Sequence, residues 1–148
     1  MSLVALLDSC RRRQDFGPLC EAIPYARFLG MSVRESQGQL LAQLGFRPGN
    51  VGNPLLPALH GGVVGGFLET TAALELLWSH DAAELPKVVN ITIDYLRPAA
   101  AVDTYATGAI IRQGRRIANV LVEAWQESRE RLVATANCHF LLPASPRS

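Results

Sequence analysis

A chain of 148 residues, 49% hydrophobic and with a net charge of +1, is long enough for a full core and too evenly charged to suggest a nucleic-acid surface. Its three cysteines (Cys10, Cys20, Cys138) are few, unevenly spaced and odd in number, which argues against a disulfide framework and for a reducing compartment. The apolar run Leu3–Leu7 precedes Arg11-Arg12-Arg13 instead of following positive charges, the reverse of an export signal, so the expectation is a cytoplasmic protein of one domain, residues 1–148.

Ser2 to Phe16 predicts an amphipathic helix, with Leu3, Leu6, Leu7 and Cys10 on one face, Ser2 as cap and the arginines suiting the helix dipole. It opens an N-terminal helical extension covering 1–27, in which Gly17–Pro24 is a loop or short helix. Two strands follow, 29–36 and 39–45, joined by a turn at Ser36-Gln37-Gly38. The stretch 47–59 reads as a loop rich in Gly, Asn and Pro, and loops of that length in a compact domain are often functional. A long helix spans 59–79. It carries His60, Glu69 and Glu75 and has its glycines at one end, so it is not a membrane span. The helix ends over 81–86. Strands at 87–96, 103–112, 115–127 and 131–142 complete the pattern in meander order, and 143–148 is a frayed tail. The sum is an α+β arrangement: an antiparallel sheet of about six strands around a long central helix, plus an N-terminal helix. Such a sheet has edges to protect, and pairing with a second copy is a common answer.

The central helix is the chemical focus. Glu69 shares a face with Gly62, Gly65, Gly66, Ala72, Ala73 and Leu76, where a charge is out of place; Glu75 groups with Leu68, Thr71 and Ser79 and is expected nearer solvent. Gly61, Gly62, Gly65 and Gly66 each cost roughly 1 kcal/mol relative to Ala in a helix interior. Close packing against a sheet, or close approach of a ligand to free N–H groups at a helix start, would offset that. From residues alone, Glu69 is either a catalytic carboxylate or a hydrogen-bonded structural one, and His60 either orients the loop and substrate or caps the helix. Asn53 either orients substrate or forms a turn beside Pro54. Arg97, Arg112, Arg115 and Arg116 stand at strand ends as solvated charges or as phosphate ligands. His60, His80 and His139 have no ligand-like spacing with the cysteines, so no metal is expected. Nor is there a nucleophile elbow or similar signature.

Four stretches, LHGGVVGGFLETTAALEL at 59–76, NITIDYLRPA at 90–99, GRRIANVLVEAW at 114–125 and LVATANCHFLL at 132–142, together resemble the hotdog-fold acyl-CoA thioesterases. Within the 4-hydroxybenzoyl-CoA thioesterase superfamily the likeness is to the phenylacetate-degradation type. The resemblance implies a hotdog fold and hydrolysis of an acyl-CoA, with CoA as part of the substrate and no bound cofactor or metal. It implies Glu69 as general base or nucleophile where many relatives carry Asp, Gly62 as backbone oxyanion donor, Asn53 and His60 as orienting groups, and Gly61 against the substrate. Arg115 and Arg116 become candidates for the CoA phosphates. The resemblance also implies a homodimer or homotetramer with sites between subunits. Gly62 and Glu69 are about 10 Å apart along the helix, so an acyl group reaches both only if it leans along the helix or if the partner subunit contributes. Two rivals remain at this stage: a hotdog-fold dehydratase or hydratase, for which Leu55 stands where a His would be expected, and a non-catalytic acyl-CoA-binding dimer.

Overall fold

The computed structural model describes residues 1–79 and 84–144, so part of the expected helix end at 81–86, His80, and most of the expected frayed tail lie outside the described residues. Helix α1 (Leu3–Arg13) is capped by Ser2, whose Oγ accepts from the Ala5 N–H at 3.2 Å, and buries Leu7 and Cys10. Of the two alternatives for the next segment, loop or short helix, the short helix holds, and a second one follows it. Pro18 and Pro24 open two short helices, α2 (Gly17–Ala22) and α3 (Pro24–Leu29), because proline's fixed φ suits the first helical positions. Strands β1 (Met31–Ser36) and β2 (Gln39–Leu44) are joined by Gln37 and Gly38, both at positive φ, the geometry of a tight hairpin turn. The stretch read as a loop holds a small hairpin, β3 (Val51–Asn53) with β4 (Ala58–Leu59), and leads into α4 (Gly61–Ser79). Strands β5 (Lys87–Tyr95), β6 (Thr104–Gln113), β7 (Ile117–Trp125) and β8 (Leu132–Leu141) follow.

All six long strands form one antiparallel sheet in the order β1-β2-β6-β7-β8-β5, wrapped around α4 as the resemblance implied. The expected meander order holds for β6 to β8 and fails for β5. That strand lies on the far edge against β8, and residues 96–103 carry the chain back across the sheet to β6. The crossing is pinned at the start of α4, where the Leu59 N–H donates to the Ala99 carbonyl, Ala58 bridges Ala100, and the Gln126 side chain bonds both backbone groups of Ala100. The inner face of the sheet is rich in small residues, among them Ala106, Ala118, Ala124, Ala134 and Ala136, all buried, so the helix seats close to it. Phe67, Leu68, Leu74, Leu76 and Leu77 fill the space between. Among the described residues no helix is long and apolar enough to cross a membrane.

The two helix carboxylates exchange the environments expected of them. Glu75 is the buried one, 6% exposed, because the sheet curls around the Leu68–Thr71–Glu75 face. It enters where the β2–β6 ladder stops at Leu41–Thr107, and accepts the Leu40 N–H at 3.1 Å and the Ser79 hydroxyl at 3.3 Å. Gly108 makes room, since a Cβ there would lie 3.3 Å from that of Glu75. Burial raises the Glu75 pKa, opposed by the two hydrogen bonds. Glu69 is only half-buried.

Candidate active site

The start of α4 is built by short-range contacts. The His60 N–H donates to the Asn50 carbonyl at 2.9 Å, and Gly52 packs so closely on His60 that a Cβ would lie 2.7 Å from its Cα. The His60 Nδ1 accepts the Gly62 N–H at 2.8 Å, and the His60 carbonyl accepts from Val63 and Val64. His60 is therefore the helix cap, with its ring proton left on Nε2. The Gly62 N–H, expected as the oxyanion donor, is already occupied. The Gly61 N–H has no acceptor among the described residues. It is the donor in the first turn left open to a ligand, and the helix dipole adds to its pull on negative charge.

Gly61 lines a cleft of about 420 Å³ with Val64, Tyr95, Leu96, Arg97 and Pro98. Tyr95 reaches from the end of β5 and donates its hydroxyl to the Gly61 carbonyl at 2.8 Å. The helix glycines are where the surrounding side chains press on α4. A Cβ on Gly65 would lie 2.9 Å from Ile93 Cδ1, and one on Gly66 would lie 2.8 Å from the Tyr25 hydroxyl.

Glu69 opens into a different cavity, of about 200 Å³, walled by Ile23, Tyr25, Ala73, Leu74, Leu85 and Phe140. Among the described residues Glu69 makes no hydrogen bond or ion pair. Its charge reaches Cys138 beneath it. Burial, and secondarily that charge, push the Cys138 thiol up to about 12. Eight residues separate Gly61 from Glu69, about 12 Å of axial rise, and the two face separate cavities of one chain.

The other expected residues fall in two groups. Asn53 closes β3 with its Oδ1 accepting the Leu55 and Leu56 N–H groups, as a turn former, and lines neither the Gly61 cleft nor the Glu69 cavity. Arg115 and Arg116 lie exposed in the β6–β7 turn, and Arg116 lines a cleft of about 280 Å³ with Lys87, Glu84 and Leu142. That cleft shares Leu85 with the Glu69 cavity, so it adjoins it; Arg115 lines neither. Tyr95 and Tyr25 were not singled out in the sequence. The glycines they cover were the signal that a large side chain approaches the helix there. No group of three or more His, Cys, Asp or Glu side chains gathers in metal-binding fashion among the described residues.

Comparison with known proteins matches residues 56–133, more than half of the chain, to the thioesterase superfamily. The chain is 28% identical over 135 residues to the medium/long-chain acyl-CoA thioesterase YigI of Escherichia coli K12, covering 81% of this chain and 86% of that protein. A crystal structure of a Chromobacterium violaceum protein is 40% identical, with a TM-score of 0.75, covering 93% of this chain and 96% of that one. A phenylacetic acid degradation-related protein of Ralstonia eutropha JMP134 is 25% identical, with a TM-score of 0.73, covering 86% and 98%.

Proposed function

From the premise that the chain belongs to the thioesterase superfamily and is a thioester hydrolase, we propose that it hydrolyses acyl-CoA with Glu69 and the Gly61 N–H as the two chemical poles of the site. The observation that carries this is the Glu69 carboxylate, which has no hydrogen-bond or ion-pair partner among the described residues and is the one acidic group in a cavity walled mainly by apolar side chains, with Thr70 and the Tyr25 hydroxyl as its other polar groups. Glu69 delivers the oxygen nucleophile, taking a proton from water or attacking the carbonyl carbon itself. The carbonyl oxygen gains negative charge as the bond forms, and the Gly61 N–H at the head of α4 stabilises it. Collapse of the tetrahedral intermediate breaks the C–S bond and CoA leaves as a thiolate. On the water route this gives the free acid, and Glu69 passes its proton to the thiolate or to solvent. On the nucleophilic route it gives a mixed anhydride with Glu69 that a water then hydrolyses, restoring the carboxylate. The residues supply this chemistry without a metal or redox cofactor. His60 and Asn53 serve by holding the loop and the helix start, and Gly61 takes the donor role first assigned to Gly62.

A single chain does not bring the two poles together. The free edge of β5 offers the remedy: Val89 is 58% exposed and Tyr95 56%, on a nine-residue strand paired on one side only. Two copies joined antiparallel along β5 set the Tyr95 end of one against the Lys87 end of the other. Gly61 packs under Tyr95, and Leu85 and Pro86 border the Glu69 cavity, so the Gly61 N–H of one copy meets the Glu69 of the other. The functional unit is a homodimer, or a pair of such dimers. Arg116 and Lys87, beside that cavity, then face the CoA phosphates. Three buried free thiols suit a reducing compartment, the cytoplasm.

The test is thiol release from a panel of acyl-CoAs by wild type and Glu69→Gln. A fall of about 100-fold or more is expected for lost acid–base or nucleophilic catalysis. Unchanged hydrolysis would remove Glu69 from the chemistry, and hydration of enoyl-CoA without thiol release would favour the hydratase reading. Under single turnover in ¹⁸O-water, label appearing in the Glu69 carboxylate identifies attack by Glu69 itself, since the water route never places it there.

A further inference from the structure

We infer that Tyr25, on the N-terminal extension, is the wall that sets the size of the acyl group, an inference resting on the proposed role of Glu69, whose cavity then takes that group. The part of that cavity supplied by one chain is about 200 Å³ and open to solvent on one side, so Tyr25 and Ala73 bound an acyl group from this side while the second copy closes the other.

Tyr25 is placed there by construction. Pro24 opens α3 at its first position and Gly30 closes it in the left-handed region at φ 79. The Arg47 guanidinium packs on Gly30 and donates to the carbonyls of Arg27 and Phe28, occupying the end of the helix. Ala26 and Leu29 anchor the under-face at 0% exposure. Tyr25 and Phe28, three residues apart, lie on the other face and stack with ring centroids 5.9 Å apart. The Tyr25 ring reaches over α4 only because Gly66 has no side chain. Gly66 is one turn before Glu69, so the ring roofs the cavity next to the carboxylate. Ala73, one turn after Glu69, is the small residue on its floor. Size selection is thus divided between a large residue brought in by a fixed short helix and a small one on the central helix.

The experiment compares wild type, Tyr25→Ala and Ala73→Leu in two readouts: kcat/KM for acetyl-, hexanoyl-, dodecanoyl- and phenylacetyl-CoA, and binding of the matching non-hydrolysable thioethers of CoA. Tyr25→Ala is expected to shift the dodecanoyl-to-hexanoyl ratio upward by about tenfold, the scale of a few methylenes in a hydrophobic pocket. Ala73→Leu is expected to shift it downward by a similar factor, and Tyr25→Phe to leave it unchanged. Ratios that stay fixed in both readouts for both variants would overturn the inference. Ratios that shift in thioether binding while no CoA ester is hydrolysed would uphold the wall and overturn the hydrolytic reading instead.

Discussion

The Tyr95 hydroxyl, at the end of the edge strand, donates to the carbonyl of Gly61 across 2.8 Å, so the strand that lies open to a second copy also holds the first residue of the central helix. The N–H of that same residue is the unoccupied donor. Tyr95→Phe keeps the ring against the helix and deletes only this bond. The loss of an ordinary hydrogen bond is about 1 kcal/mol, or roughly fivefold. Because the bond aligns the proposed oxyanion donor, the fall should appear in kcat with KM little changed. A change confined to KM would show that Tyr95 contacts substrate instead.

His60 holds the helix through its ring nitrogen. His60→Ala removes the cap and should cost about 1 kcal/mol, or roughly 2–4 °C in Tm for a chain of this size, while His60→Asn, a good cap, should recover most of it. Thermal unfolding of the two variants checks this. Equal loss in both would mean that the imidazole matters for more than its acceptor.

Glu75 sets a pH dependence of stability. Its folded pKa lies above its ordinary value through burial. The folded state therefore binds the proton more tightly, and the contribution is fully present below about pH 4.5 and is lost as pH rises through the raised folded pKa. Glu75→Gln accepts from the Leu40 N–H with its carbonyl and donates to the Ser79 hydroxyl with its amide, and it carries no charge. Its Tm should exceed that of wild type at pH 8, with the gap closing toward pH 4. Glu75→Ala strands the Leu40 N–H and should be destabilised by about 1–3 kcal/mol.

Much of this was legible in the sequence, for physical reasons. Period-two alternation in 87–142 gave the strands, and the cluster from His60 to Glu69 marked the helix as the centre of the proposed chemistry. The strand order was not legible, because alternation says which face a residue takes and not which strand lies beside it; the placement of β5 depends on the crossover tied by Leu59, Ala100 and Gln126. The two carboxylates were assigned to opposite environments, since helical spacing groups faces without saying which face the sheet covers most deeply. That the Gly61 N–H and not the Gly62 N–H is left open rests on a single ring nitrogen of His60, which helical spacing does not reveal. Tyr25 was invisible for the same kind of reason: it meets Gly66 from 41 positions away.

In the proposed dimer the Gly61 N–H of one copy and the Glu69 of the other form one site. Gly61→Pro deletes that N–H at a first helical position, where proline is well tolerated. Each of Gly61→Pro and Glu69→Gln alone should be inactive. Co-expressed, randomly paired chains give mixed dimers with one intact site each, and thiol release should return to about a quarter of wild type. A mixture as inactive as its components would contradict the shared site and place both groups within a single chain.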